Sequence, residues 1–456
     1  MSKKEQLFEE FSSVSLQKWE EKIVKDLKGK SISELEWKHS NLIDLIPNYN
    51  KENSKNSLAQ KEFSSKENKS SNDWNTSSFI LVSTEKEANK KALTALSTGV
   101  NSLTFVGEIN DINALLKDIM IEIISIDYIT PKTSGFTKKL KALCIERNLN
   151  FDELNGSISF DYLGNFARKG NWYSSLEEIS KEFSSHLEVN KNSLLNSLTA
   201  SNSYFQQSGA NTVQQLGIAL AHGTEYFNLL NTTHSNKDIA ANLQFHFGIG
   251  GNYFAEIAKI RAFRVLWKMV LSAFETSTEK VTINAVTSSL LWSDKQPKNN
   301  MLRATSSAMS AVIGGCDSLT ITPFDSVDLH KEIFSERIAS NVQLILKEES
   351  YLDKVVDPSK GSYFIENLTA ELAEKGWSFF QEIEKNGGYI KALESGYIQS
   401  EIKKSADDLI SAYNSGDLNL VGVNKYETED RKVTLQRIAE SNEKTAITPL
   451  TFLQIK

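Results

Sequence analysis

From residue 79 onward, short apolar runs alternate with longer amphipathic segments, and this alternation limits the fold more than any other feature of the sequence. The first unit is FILVS at 79–83, then a segment with Ala88, Ala92 and Leu96 at helical spacing, then NSLTFVGE at 101–108. A strand, a helix and a second strand joined by short links form a βαβ unit with parallel strands. The pattern therefore predicts an α/β protein.

Repetition of this unit predicts the other strands of the sheet. Further strand-like runs lie at 121–127, 156–161, 193–201, 281–287 and 317–323. These bring the predicted strands to seven.

Two stretches complete the pattern. The segment DKVVD at 353–357 is a short candidate for an eighth strand, and residues 210–274 are predicted to form one long helical region. Repeated strand–helix units leave an open doubly wound sheet and a closed (β/α)8 TIM-type barrel as alternatives. The strand count favours the barrel. Because Ser, Thr and Asn recur at alternate strand positions, we expect an unusually polar barrel interior.

The first 50 residues read as an amino-terminal helical arm. Trp19, Ile23 and Leu27 lie close to helical spacing, and Ser15 is a suitable amino-terminal cap. Such a helix could pack on its own domain or on a partner, and spacing alone favours the first alternative. The predicted division of the chain is arm 1–50, polar linker 51–73, barrel 74–426 and carboxy-terminal tail 427–456.

Composition limits the compartment and the partners. The net charge of -7 gives no electrostatic reason to bind nucleic acid or an anionic membrane. Cys144 and Cys316 lie far apart in apolar runs and are predicted to be buried thiols. The amino terminus lacks the apolar stretch of a signal peptide, and no run approaches the roughly 18 apolar residues of a membrane span. We therefore expect a cytoplasmic protein.

The residues alone do not indicate a catalytic, cofactor-binding or metal site. The glycine-rich GIGGN at 248–252 is predicted to be a break between helices that permits tight packing, since it lacks the spacing of a phosphate loop. His222 is predicted to end a helix. Asp328 and His330 form Asp-x-His, but Ile333 occupies the position where a cobalamin-binding motif has glycine.

Six ordered segments nevertheless resemble the methylmalonyl-CoA mutase family. They are WEEKIVKDLKGKSISELEWK at 19–38, SGANTVQQLGIALAHGTEYF at 208–227, FHFGIGGNYFAEIAKIRAFRVLWKMV at 245–270, KNNMLRATSSAMSAVIGGCDSLTITPFD at 298–325, VVDPSKGSYFIENLTAELAEKGWSFFQEIEKNGGYIKAL at 355–393 and VGVNKY at 421–426. The resemblance implies an arm and a (β/α)8 barrel through which acyl-CoA threads. It also implies the interconversion of methylmalonyl-CoA and succinyl-CoA by a radical from adenosylcobalamin.

In that family a flavodoxin-like domain binds cobalamin through Asp-x-His-x-x-Gly. Because only 30 residues follow VGVNKY, this chain is expected to lack that domain. Where catalytic members have Gly-Tyr-His, this chain has Asn202, Ser203 and Tyr204, and where they have His, Gln, His and Asn, it has Gly315, Asp317, Thr320 and Thr322. Asp317 is expected to repel a dianionic substrate.

The resemblance and these replacements together suggest a non-catalytic small subunit. It would pair with a large catalytic mutase subunit that holds adenosylcobalamin, and the arm would lie on that partner. The alternative is the substrate-binding half of a split mutase that borrows cobalamin from a separate protein. A residual CoA ester is a possible ligand of the barrel in either case.

Overall fold

The computed structural model describes most of the chain. The described residues are 12–39, 42–54, 70–277, 281–327, 333–427, 433–437, 446–447 and 449–454. Most of the predicted linker, residues 55–69, and the Asp-x-His motif at 328–330 lie outside these ranges.

Strands and helices alternate along the barrel region as the sequence predicts. The strands of the described part are β1 Trp37–His39, β2 Ile43–Leu45, β3 Asn75–Leu81, β4 Ser102–Val106, β5 Ser125–Ile129, β6 Asn155–Ser159, β7 Leu198–Ser201, β8 Leu243–Ile249, β9 Thr282–Thr287, β10 Ser318–Thr320, β11 Val433–Arg437 and β12 Leu450–Gln454. The α-helices are α1 Leu16–Asp26, α2 Glu85–Ser97, α3 Ile112–Leu115, α4 Thr133–Glu146, α5 Tyr162–Lys169, α6 Leu176–Val189, α7 Ser203–Gln207, α8 Thr212–Leu230, α9 Asn236–Asn242, α10 Tyr253–Ala273, α11 Asn299–Gly314, α12 Ile333–Leu344, α13 Tyr363–Lys385, α14 Gly388–Glu394 and α15 Tyr397–Ser415.

Strands β3 to β10 form a parallel eight-stranded sheet that curls into a barrel. The hydrogen-bonded order is β6-β5-β4-β3-β10-β9-β8-β7. Its two edges meet through a parallel bridge between Ser157 and Asn196, where the Asn196 N–H donates to the Gly156 carbonyl at 3.0 Å. Closure of the sheet, with helices outside it, confirms the predicted (β/α)8 barrel.

The eighth strand is not where the sequence pattern placed it. Residues 353–357 form no strand, and the missing strand is β8, inside the predicted helical region 210–274. In β8 the apolar Phe245 and Phe247 are fully buried, and Gln244 and His246 alternate with them. This period of two is that of a strand. The nearby helices α8 and α10 are apolar on most faces. The change from helical to strand periodicity at β8 is therefore hard to detect in the sequence.

The core lies between the barrel wall and helices α8, α10 and α13. Helices α8 and α13 cross at two glycines, because a Cβ on Gly376 would approach the Leu216 Cβ to 2.9 Å and one on Gly217 would approach the Phe380 nitrogen to 2.9 Å. Almost every residue of α8 is buried. Among the described residues no helix is both long and apolar enough to cross a membrane.

The arm is fixed to the barrel by its hairpin, and its helix has no buried residue. Helix α1 begins as predicted at Ser15, whose hydroxyl accepts the Lys18 N–H at 3.3 Å. On the hairpin β1–β2, His39 is buried and its Nε2 lies 3.2 Å from the Thr212 hydroxyl of α8. The apolar residues of α1, such as Trp19 and Ile23, stay half-exposed.

Candidate functional site

The barrel interior is polar, as the Ser/Thr/Asn alternation predicts. The inward side chains of the strands are Ser77, Thr104, Asp127, Ser157, Ser159, Thr199, Gln244, His246 and Asn284. The outward residues on the same strands, such as Phe105, Ile126 and Ile158, are apolar and buried against the helices. A bore of this chemistry suits hydrogen bonding rather than hydrophobic packing.

Five of these side chains, Asp127, Ser157, Thr199, Gln244 and Asn284, hydrogen-bond to one another across the bore, and we call them the polar layer. Gln244 lies at its centre. Its Nε2 donates to Ser157 Oγ at 2.9 Å and to Thr199 Oγ1 at 2.9 Å, and its Oε1 accepts from Asn284 Nδ2 at 3.0 Å. Ser157 in turn donates to Asp127 Oδ1 at 2.5 Å. The layer links β5, β6, β7, β8 and β9.

The polar layer lies between two cavities on the barrel axis. The mouth cavity, of about 830 Å³, lies at the carboxyl ends of the strands, and Thr199 faces it. The amino-end cavity, of about 470 Å³, lies at the opposite end, and Gln244, Asn284 and Asp127 face it. Because side chains of the two linings hydrogen-bond to each other, the layer is the floor of one cavity and the roof of the other.

His246 on β8 faces the mouth cavity just above the polar layer. Its Nε2 lies 3.0 Å from Asn284 Nδ2, so the ring accepts the amide hydrogen there and carries its own proton on Nδ1. Burial lowers the pKa of His246 to about 4, although the Asp161 carboxylate opposes that shift. The His246 side chain makes no other hydrogen bond with the described residues. Its Nδ1–H is thus a neutral donor at the lining of the mouth cavity, and the sequence pattern did not single it out.

Asp161 follows β6 and joins several elements at the rim. Its Oδ1 accepts the Gly164 N–H at 2.7 Å, and its Oδ2 accepts the Ser201 N–H at 2.9 Å. His222 Nε2 lies 3.1 Å from Oδ1, and the His222 ring stacks on Tyr389 at 4.4 Å. The prediction that His222 ends a helix is wrong, because α8 continues to Leu230 and buries His222 in its middle.

The chain returns to the mouth near its carboxyl terminus. The tail segment, residues 446–447 and 449–451, lies at the rim, and 449–451 line the cavity. The Tyr204 hydroxyl donates to the Ile447 carbonyl, and the Leu450 side chain is buried beside α15. Tyr204, which the resemblance predicts to stand in place of a catalytic histidine, therefore holds the chain's own tail.

The other replaced positions near the mouth also serve the scaffold. The Asn202 N–H donates to the His246 carbonyl at 2.7 Å, and its amide donates to the Gln215 carbonyl at 2.8 Å. The Thr322 hydroxyl donates to the Thr287 carbonyl at 2.5 Å. Ser203 lines the mouth cavity, and Thr320 is half-buried on β10.

Asp317 lines the cavity at the amino end of the barrel, and its predicted repulsion of a dianionic substrate stays a prediction. Its Oδ2 is 2.8 Å from the Arg264 guanidinium and accepts the Ile283 N–H at 2.9 Å. Gly315, two residues earlier, ends α11 in a left-handed conformation at φ 89°. The sequence pattern could not reveal Arg264 as a partner because it comes from another element, α10.

The glycine-rich segment 248–252 connects β8 to α10, so its predicted position between two helices is wrong. Its predicted role in tight packing is confirmed, because a Cβ on Gly248 would approach Gln206 Oε1 to 3.0 Å. The fully buried Lys259 donates to the Gly248 carbonyl at 2.7 Å and to Gln215 Oε1 at 2.8 Å, and it pairs with Glu256. Gly248 thus permits a close approach of the backbone to Gln206, and the Lys259 ammonium fixes the carboxyl end of β8.

The described residues provide no evident metal site. None of them forms a group of three or more His, Cys, Asp or Glu side chains placed to hold a metal ion. Cys144 and Cys316 are both buried thiols, as predicted.

Comparison with known proteins agrees with this geometry. The family model described as methylmalonyl-CoA mutase matches residues 104–454. The methylmalonyl-CoA mutase small subunit of Porphyromonas gingivalis (strain ATCC BAA-308 / W83) is 34% identical over 434 residues, which cover 88% of this chain and 68% of that protein. The small subunit of Streptomyces virginiae is 31% identical, over 72% of this chain and 54% of that one.

Relatives named simply methylmalonyl-CoA mutase match a shorter stretch. The mutase of Cereibacter sphaeroides is 38% identical over 279 residues, and the match covers 60% of this chain and 39% of that protein. This chain therefore spans about two-thirds of the Porphyromonas small subunit and about two-fifths of that mutase.

Fold and site together define a (β/α)8 barrel protein with a polar bore and an amino-terminal helical arm. Within that class, the matched region and the relatives decide the family. The chain belongs to the methylmalonyl-CoA mutase family.

Proposed function

We propose that this chain is the non-catalytic small subunit of a heterodimeric, adenosylcobalamin-dependent methylmalonyl-CoA mutase. A large subunit would carry out the interconversion of methylmalonyl-CoA and succinyl-CoA, and this chain would stabilise or regulate the complex. The small-subunit names of two relatives support the proposal.

The polar layer is the observation that carries this proposal. A thioester that threads the barrel must pass the point where Gln244 bonds to Ser157 and Thr199. Those side chains are buried, so displacing them would leave donors and acceptors without partners, at roughly 1–3 kcal/mol each. At the mouth, Tyr204 stands where the resemblance predicts a catalytic histidine. Its hydroxyl donates to the tail segment, so it is not placed to serve a substrate.

The exposed apolar residues of the arm are evidence for a role in binding a partner subunit. We assign residues 1–50 to a surface that contacts the large subunit. Helix α1 is amphipathic but buries no residue in this chain, and Trp37 of the neighbouring hairpin is 55% exposed. Apolar side chains arranged on one helix face usually pack against something, and a partner protein would supply that surface.

The described residues do not fit cobalamin as a resident cofactor. His246 is the one imidazole among the described residues lining the mouth cavity, and its Nε2 is held by Asn284. When bound in the complex, adenosylcobalamin would supply the radical chemistry. We propose that the partner subunit holds it.

Co-expression tests the proposal. This chain is tagged and co-expressed with a full-length mutase chain from the same genome, and the eluate is analysed by native mass spectrometry. We expect a one-to-one complex whose mutase activity requires adenosylcobalamin. The Tyr204→Phe variant should leave that activity within about twofold of wild type, since its hydroxyl donates to the tail segment and we assign it no part in catalysis.

The alternative function is the substrate-binding half of a split mutase. The same purified chain is mixed with a free cobalamin-binding protein of the family, without any large subunit. Turnover of methylmalonyl-CoA in that mixture, lost on replacing Tyr204 or His246, would establish the alternative and exclude the non-catalytic subunit.

A further inference from the structure

The mouth cavity has one apolar wall and one polar wall. The apolar wall comes from the ends of three adjacent strands and consists of Phe79, Val106 and Ile129. The polar wall comes from the next strands around the barrel and consists of Ser159, Thr199, Ser201 and His246. This division matches an amphipathic small molecule, and the volume of about 830 Å³ lies in the usual range for small-ligand sites.

The apolar wall is unusually open for the end of a barrel. Phe79 is 56% exposed, although it lies on β3. Phe79 lines the cavity, so part of its exposed ring faces the cavity space. Covering apolar surface of this kind with a hydrocarbon chain is favourable, at about 25 cal/mol per Å².

Two donors at the mouth have no acceptor within the described residues. The Arg168 guanidinium lies 6.0 Å from the centre of the Tyr204 ring and makes no hydrogen bond or ion pair with them. The second donor is the Nδ1–H of His246, whose other ring nitrogen is occupied by Asn284. A guanidinium and a neutral N–H together suit a carboxylate.

The acid at the rim does not compete for these donors. Asp161 directs its oxygens at the Gly164 and Ser201 N–H groups, and His222 lies beside it. Its charge is thus compensated by fixed dipoles. Arg168 is the cation among the described residues lining the cavity, and it is exposed, so a ligand can reach it.

We propose that the mouth cavity is a binding site for a short-chain monocarboxylic acid in its free form. The carboxylate binds Arg168 and the His246 Nδ1–H, and the hydrocarbon chain lies against Phe79, Val106 and Ile129. Because the polar layer below closes the bore to a CoA arm, we take the free acid rather than its thioester as the ligand. This site goes beyond the subunit role and does not rest on it.

Isothermal titration of the full chain with hexanoate tests the site. We expect saturable one-to-one binding, and hexanol, which lacks the charge, should bind at least about tenfold more weakly. Arg168→Leu should weaken hexanoate binding by about tenfold or more, and His246→Phe should weaken it several-fold. Circular dichroism melts establish that each variant is folded.

Arg337→Leu is the matched control. Arg337 also lies over an aromatic ring, 5.5 Å from the centre of Phe334, but it lines a different cavity. Its replacement should leave hexanoate affinity unchanged.

Three results would each overturn the proposal. They are no saturation by hexanoate up to about 10 mM, equal affinity for hexanol, and equal affinity of folded Arg168→Leu. Hexanoyl-CoA serves as a further ligand: binding tighter than hexanoate would contradict both the closed bore and this site. Failure of hexanoate alone leaves the small-subunit proposal standing, since that proposal depends on the polar layer.

Discussion

At the scale of single residues, Lys259 is the side chain whose replacement should be most costly. It is fully buried, and its ammonium binds Gln215, the Gly248 carbonyl and the Glu256 carboxylate. Burial lowers the pKa of Lys259, while Glu256 acts in the opposite direction. The Lys259–Glu256 ion pair therefore stabilises the fold only while both residues are present.

Lys259→Met should lower the free energy of unfolding by roughly 3–5 kcal/mol, because it leaves the Glu256 carboxylate buried and unpaired. Urea denaturation followed by circular dichroism measures the effect. The double variant with Glu256→Gln is the control and should recover part of the loss. A single variant with the wild-type midpoint would show that Glu256 finds another partner.

Two buried histidines and the half-buried His246 contribute to how stability responds to acid. Burial lowers the pKa of His39, His186 and His246 to about 4 from an ordinary value of 6.5. Between these values the unfolded chain binds protons that the folded chain refuses. Stability is therefore fully present above the ordinary value and decreases as pH falls towards about 4.

The melting temperature should accordingly fall steadily as the buffer is taken from neutral towards the lowered pKa values. His186→Leu should give a shallower fall, because one buried titrating group is removed from α6. Differential scanning calorimetry across this range measures both slopes. Parallel slopes in the two proteins would contradict the assignment of His186.

At the scale of elements, the crossing of α8 and α13 depends on Gly376. Gly376→Ala should destabilise the protein by roughly 1–3 kcal/mol, because the new Cβ would lie 2.9 Å from the Leu216 Cβ. Gly135→Ala is the control, since it is also helical but has no atom within 4 Å of the added Cβ. Urea melts should show opposite signs for the two, since alanine is otherwise preferred in a helix.

The tail segment should loosen when its tyrosine contact is removed. The Ile447 N–H donates to the Ala167 carbonyl at 3.0 Å, and the Tyr204 hydroxyl binds the Ile447 carbonyl. Tyr204→Phe should speed hydrogen exchange at the Ile447 amide by about tenfold, the equivalent of one hydrogen bond. Tyr173→Phe, at a half-exposed ring, should leave it unchanged. Equal exchange in both variants would mean that the buried Leu450 alone holds the segment.

Most elements could be predicted from local pattern, and β8 shows where that method fails. Seven barrel strands and the cap of α1 follow from alternation and capping residues that act within a few positions. Strand β8 follows the short helix α9 without a break and is followed by α10, which is buried on nearly all sides, so neither neighbour marks where the strand begins or ends. The alternation typical of a strand is present over the seven residues of β8, but this run is too short to distinguish it from the neighbouring helical sequence.

At the scale of the whole molecule, the proposed subunit contact depends on the arm. Trp19→Asp should weaken the complex with a large subunit at least tenfold, because it places a charge on the apolar face of α1. Glu20→Gln, on an exposed position beside it, should not. Analytical ultracentrifugation of the co-expressed pair measures the affinity. An unchanged affinity for Trp19→Asp would place the contact elsewhere.

Sequence by itself determined the (β/α)8 class, the polar bore, the buried thiols and the arm helix, because periodicity, capping and residue chemistry act locally. Only the tertiary structure decided which side chains are paired inside and beside the bore. The bonds of Gln244 to Ser157 and Thr199 join residues about 45 to 87 positions apart. Asp317 is likewise matched with Arg264, 53 residues away. Such pairs form through barrel closure, and no local spacing in the chain encodes them.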